Sequence, residues 1–96
     1  GDIQLDRVSF DIIGPSGKML LTAKEFQIME MFLKNPTQII SAEKFMEKIW
    51  GFDSESEINV VWTYISYLRK KLKLLNSNVY IKAVRNLGYL LEYKNA

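Results

Sequence analysis

The stretch from Asn59 to Leu75, NVVWTYISYLRKKLKLL, constrains the fold more than any other. At about 100° per residue, Val61, Ile65, Leu68 and Leu72 fall on one narrow stripe of a helix. Such a stripe has to be buried, so the rest of the chain must supply the surface that covers it. Asn59, Thr63, Ser66 and Lys70 point the opposite way. Trp62, Arg69 and Lys73 flank that outer face on one side and Tyr67 on the other. Solvated helices usually alternate acids and bases outward, but this one has no acid at all. Small polar side chains, aromatics and cations suit a helix lying in the major groove of DNA. The cations meet phosphates, and the short polar and aromatic groups meet base edges and thymine methyls. The plain alternative is a partly buried amphipathic helix with a solvated basic edge.

Charge distribution adds to this. The 96 residues carry a net charge of only +2. Residues 1–65 hold six Lys/Arg against ten Asp/Glu, or −4, while residues 66–96 hold seven against one, or +6. A basic end on a mildly acidic body is the electrostatic outline of a polyanion binder. Chance asymmetry in a short chain is the competing explanation. The length fits one domain with one modest core and leaves little for a deep catalytic cleft. The chain has no cysteine and no histidine. Disulfides, thiol chemistry, His-dependent nucleophilic catalysis and the common zinc sites are therefore excluded. We expect no catalytic residues, no metal and no cofactor. No apolar run approaches the ~20 residues that span a bilayer, so no membrane partner is expected. Three aspartates among the first fifteen residues argue against a secretory leader. Opening on Gly1, the chain reads as a piece of a longer protein.

Taken in order, residues 3–21 read as short antiparallel strands. Ile3-Gln4-Leu5 and Val8-Ser9-Phe10-Asp11-Ile12 alternate apolar and polar, with Asp6-Arg7 as the turn between them. Gly14-Pro15-Ser16-Gly17 makes a second turn and Lys18–Leu21 the returning strand. Thr22-Ala23-Lys24-Glu25 fits a capping box, and Leu21 and Phe26 are placed for a hydrophobic staple. The helix so begun carries Phe26, Met29 and Leu33 at helical spacing and stops before Pro36. Ser41 caps a second helix whose buried side is Phe45, Met46, Ile49 and Trp50. Trp50 acts as an inter-helix wedge, and Gly51 ends the helix. The segment from Gly51 to Glu57 is an acidic connection. After the long helix, Val79–Val84 and Tyr89–Tyr93 form a hairpin around Arg85-Asn86-Leu87-Gly88. Arg85 near its tip is a candidate minor-groove probe, because a narrow minor groove concentrates negative potential.

With those elements placed, the chain resembles the OmpR/PhoB-type winged-helix effector domain of two-component response regulators. The resemblance covers essentially all 96 residues. It is carried by LTAKEFQIMEMFLKNP at 21–36, ISAEKFMEKIWG at 40–51, ISYLRKKL at 65–72 and VRNLGY at 84–89. It implies an α+β winged helix-turn-helix fold with a four-stranded N-terminal antiparallel sheet, a three-helix core and a C-terminal hairpin wing. Residues 1–96 would then be one DNA-binding domain, the C-terminal part of a response regulator with a receiver domain upstream. The resemblance puts the third helix in the major groove with Asn59, Trp62, Thr63, Tyr64, Ser66, Tyr67 and Arg69 at DNA-contacting positions, and Arg85 at the minor groove. It makes the connection holding Phe52, Asp53, Glu55 and Glu57 a candidate contact for RNA polymerase. It also implies homodimers on tandem half-sites and a cytoplasmic location, with the isolated domain free to be monomeric.

The match has departures. Asn59 and Trp62 replace the family's customary arginine and aspartate, Tyr67 replaces an arginine, Ala83 a threonine and Asn86 the wing glycine. The leading expectation is sequence-specific binding of double-stranded DNA by a transcriptional regulator. Arg69, Lys70, Lys73 and Lys82 would meet phosphates, while Trp62, Thr63, Ser66 and Tyr67 read bases. The alternative from another class is a winged-helix protein-interaction module that has lost DNA binding, which Trp62 and Tyr67 would suit.

Overall fold

The computed structural model describes residues 2–51 and 57–94. An antiparallel sheet, β1 (Gln4–Asp6), β2 (Asp11–Gly14) and β3 (Gly17–Leu20), is ordered as in the sequence. Helix α1 (Ala23–Lys34) follows, and then α2 (Ala42–Phe45), which widens without interruption into a π turn over Met46–Trp50. Helix α3 (Asn59–Leu74) leads into the hairpin of β4 (Val79–Val84) and β5 (Gly88–Tyr93).

The apolar stripe of α3 is the centre of the core, as its periodicity requires. Val61, Ile65, Leu68 and Leu72 are all buried. Ile28, Met29 and Phe32 of α1 and Phe45 of α2 pack with them, and Phe32 meets Phe45 edge to face at 5.2 Å. The sheet closes the core from the N-terminal side through Ile3 and Ile12, and the hairpin closes it through Val79, Ile81 and Leu91.

Each helix starts where its local chemistry dictates. The Thr22 hydroxyl accepts the Glu25 amide at 3.2 Å, and the Glu25 carboxylate accepts the Thr22 amide at 2.8 Å, completing the capping box. Leu21 and Phe26 are both buried, as a staple demands. The Ser41 hydroxyl accepts the Lys44 amide at the start of α2. Glu25 has a second task. The same oxygen accepts Lys71 Nζ from α3 at 2.8 Å, and Lys71 also donates to the Leu20 carbonyl at 3.1 Å. Glu25 is 2% exposed. A carboxylate so buried is tolerable only because two donors hold it.

The N-terminal sheet corrects two expectations. It has three strands among the described residues, not four. The run from Val8 is not extended until Asp11. Asp6 ends β1, and its carboxylate takes the Val8 and Ser9 amides at 2.9 and 3.2 Å. Phe10 then adopts a left-handed backbone at φ 63°, which lets its ring stack on Phe26 at 4.9 Å. The residues that alternation assigned to a strand are thus used in a turn, and Val8 is left 97% exposed.

Two close approaches join the layers. Gly14 faces Leu75 at the end of α3, where an added Cβ would lie 3.0 Å from the Leu75 Cβ. Ile40, between α1 and α2, makes a paired bridge with Tyr89, its amide donating at 2.8 Å and its carbonyl accepting at 2.9 Å. Gly88 at φ +141° permits this, since a Cβ there would fall 2.2 Å from the Ile40 carbonyl oxygen.

Replacing Lys71 with methionine keeps the stem but strands the Glu25 carboxylate. The expected loss is about 2 kcal/mol, below the usual figure for a broken buried pair because Lys71 is partly exposed. Gly88→Ala combines backbone strain with a backbone clash and should cost more. Urea unfolding midpoints of both variants test the ordering.

Candidate nucleic-acid interface

The outward face of α3 begins at Asn59, after Ile58, which offers no side-chain cap, and the first turn contains no acid. Asn59, Trp62, Tyr67, Lys70 and Lys73 are exposed, and Thr63, Ser66 and Arg69 are half-buried. Trp62 is 59% and Tyr67 51% exposed, which is unusual for large aromatics on a helix and leaves both rings open to a ligand. The Ser66 hydroxyl donates to the Trp62 carbonyl one turn back at 3.1 Å. Its proton is therefore spent, and toward a ligand it presents lone pairs.

Three expected contact residues are engaged within the protein. Arg69 donates Nε to the Ile81 carbonyl of β4 at 3.2 Å, so only the far end of its guanidinium faces outward. This bond ties α3 to the hairpin. Tyr64 is half-buried, edge to face with Trp50 at 5.4 Å and with Tyr67 at 5.8 Å. Lys82 is exposed on the hairpin but lies 3.5 Å from the Glu92 carboxylate. Lys70 and Lys73 have no acidic partner among the described residues. Arg85 sits exposed in the turn between β4 and β5, where Asn86 takes φ 66°. Asparagine tolerates that conformation where most side chains do not. Of the acidic connection, Phe52, Asp53 and Glu55 lie outside the described residues, and Glu57 is exposed, its carbonyl accepting the Val60 amide.

Two cations enter the picture that sequence reading passed over. Lys94, just beyond β5, lies over the Tyr80 ring at 5.9 Å and lines a hollow with Arg69 and Lys73. Its place follows from strand register, since its amide reaches the Asn78 carbonyl at 2.7 Å. Lys24 of α1 lies over the Trp50 ring at 5.2 Å. Neither position is visible in a helical or strand period. On the hairpin, Tyr80 donates its hydroxyl to Glu92. That bond holds the Glu92 carboxyl below its ordinary range, with Lys82 helping, and pushes the Tyr80 phenol up. Glu92 therefore stays charged at neutral pH and holds Lys82 beside it.

The arrangement is a helix with an acid-free outer face, held at a fixed angle to a basic-tipped hairpin. A family model described as "Transcriptional regulatory protein, C terminal" matches residues 16–91. The chain belongs to this family. It is the OmpR/PhoB type that the motifs resembled, and the fold is a winged helix-turn-helix with β4–β5 as the wing. The transcriptional regulatory protein DltR of Streptococcus agalactiae is 37% identical over 92 residues, which cover 96% of this chain and 41% of that protein. The chain thus spans about two fifths of the length of the curated relatives it matches. Among solved structures, the C-terminal domain of the nisin resistance regulator NsrR is 32% identical with a TM-score of 0.79, over 95% of this chain and 91% of that one. The DNA-binding domain of Klebsiella pneumoniae RstA, solved in complex with the RstA box, is 26% identical with a TM-score of 0.75, over 98% and 92%. No helix among the described residues is long and apolar enough to cross a membrane.

The Tyr80–Glu92 bond gives a prediction for the wing. A depressed Glu92 contributes stability that is present above its unfolded pKa and lost as pH falls through its folded value. A raised Tyr80 contributes stability that is present below its unfolded pKa and lost as pH rises through its folded value. Both contributions hold at neutral pH. Glu92→Gln should bring the Tyr80 phenol back toward the ordinary tyrosine range, measured by NMR titration of the Tyr80 ring.

Proposed function

We propose that this domain binds double-stranded DNA in a sequence-specific manner as the effector part of a two-component transcriptional regulator. The observation that carries the reading is the outer face of α3. Exposed Asn59, Trp62, Tyr67, Lys70 and Lys73 share a helix without a single acid, beside a wing that presents Arg85. The affinity of such a face comes largely from phosphate neutralisation, and its specificity from base edges. Lys70, Lys73, the outer end of Arg69 and Lys82 supply the first. Asn59, Trp62, Thr63, Ser66 and Tyr67 supply the second, with α3 in the major groove and Arg85 at the minor groove. Tyr64, placed between Trp50 and Tyr67, contributes from behind the face rather than on it. The RstA domain bound to its DNA box supports the reading by its shared fold and sequence.

In the whole protein the domain follows a receiver domain and acts in the cytoplasm, where pairs of domains occupy tandem half-sites. In that protein the connection holding Phe52, Asp53, Glu55 and Glu57 would contact RNA polymerase. A protein-interaction module is the second reading, and the exposure of Trp62 and Tyr67 is the observation that favours it.

Selection from a randomised duplex pool, followed by salt titration on the enriched sequence, tests the choice. DNA binding gives a short enriched motif and a steep fall of affinity with salt. No enrichment and no low-salt binding would overturn the DNA reading and favour the interaction module. Within the DNA reading, Lys70→Ala should weaken all duplexes alike and reduce the salt slope by about one phosphate equivalent. Thr63→Ala should alter base preference and leave the slope intact. The same selection and titration, repeated on each variant, measures both.

A further inference from the structure

The row of aromatic rings behind the outer face of α3 runs across two elements. Trp50 closes the π turn after α2, where the Gly51 amide reaches back five residues to the Met46 carbonyl at 2.8 Å. The wider turn brings Trp50 against α3, with its ring edge to face with Tyr64, 5.4 Å between centroids and 66° between planes. Tyr64 stands in the same relation to Tyr67, at 5.8 Å and 75°. Lys24 covers the Trp50 ring at 5.2 Å and so limits its movement from the α1 side. The series passes from a half-buried tryptophan, through a half-buried tyrosine, to one that is half exposed. Edge-to-face pairs have a preferred geometry, so each ring restricts the next. Tyr67 reaches the surface with its orientation set from behind.

A ring held this way meets a groove differently from a flexible arginine or amide. It offers an apolar edge at a fixed position, and its two side-chain torsions lose little entropy on binding. In the major groove only thymine presents an apolar group, its C5 methyl. We propose that Tyr67 reads a thymine methyl and that Trp50 and Tyr64 are positioning residues that hold it there. This inference rests on the DNA-binding reading and deepens it. It gives the π turn a role in recognition, because a π turn places Trp50 on a different side of its helix from the one a regular α-helical turn would give.

The test is a scan of the enriched duplex in which each thymine in turn is replaced by deoxyuridine, which lacks the methyl. For the unaltered protein one replacement should weaken binding about fourfold, the worth of one buried methyl. Tyr67→Phe should keep that discrimination and Tyr67→Leu should lose it at the same thymine. Trp50→Leu and Tyr64→Leu should also lose it there while leaving the salt slope unchanged, and Trp50→Phe should restore most of it. Loss of a merely structural residue would instead weaken every duplex alike. The proposal is overturned if no thymine's discrimination depends on Tyr67, or if it survives in a folded Trp50→Leu or Tyr64→Leu variant. Failure of the unaltered protein to bind any duplex overturns the DNA reading itself, which is a separate outcome.

Discussion

The carboxylate of Glu25 sits where the sheet, α1 and α3 converge, and the rest of the architecture depends on how it is satisfied. One oxygen accepts the Thr22 amide and Lys71 Nζ, each at 2.8 Å, with almost no access to water. A carboxylate in that place with neither donor would cost several kcal/mol, more than the loss of Lys71 alone. The arrangement therefore fixes three things together: where α1 begins, how α3 is rotated about its axis, and where β3 ends, since Lys71 also holds the Leu20 carbonyl. Fixing the rotation of α3 decides which of its side chains face outward. Lys71 turns inward, while Lys70 and Lys73, its neighbours in sequence, remain on the surface. The outer face is thus set from the opposite side of the helix.

Much of this was legible in the chain. The stripe of α3 needed only period counting, and the capping box needed only residues three apart, because both are local consequences of helix geometry. The wing was readable from a turn-forming run between two apolar stretches. What could not be read depends on contacts between distant segments. Val8 to Phe10 alternate like a strand, but the Asp6 side chain claims the Val8 and Ser9 amides, the Asp6 carbonyl takes that of Phe10, and the Phe10 ring stacks on Phe26. The π turn left no trace in the pattern, since the spacing of Phe45, Met46, Ile49 and Trp50 fits a regular helix and carries no sign that its last turn is widened.

The candidate contact face was read less fully than the fold. Helical geometry gave the directions of Trp62, Tyr67, Lys70 and Lys73. It could not show that Arg69 is partly spent on the Ile81 carbonyl, that Tyr64 is caught between two rings, or that Glu92 stands beside Lys82. Those facts come from strand register and from packing between elements, as does the position of Lys94. A side chain's type says what it can bind, and only its neighbours decide how much of it remains available.

The wing is held twice, next to its turn by the Ile40–Tyr89 bridge that glycine at position 88 permits and midway along β4 by Arg69 on the Ile81 carbonyl. Helix and hairpin therefore form the two jaws of a stiff caliper. A tool of that kind does not adjust to what it measures. On the proposed reading, any misfit in groove width or spacing falls on the duplex, and the elastic cost depends on steps that neither jaw touches. Part of the selectivity would then be mechanical, favouring sequences that yield easily between the points of contact.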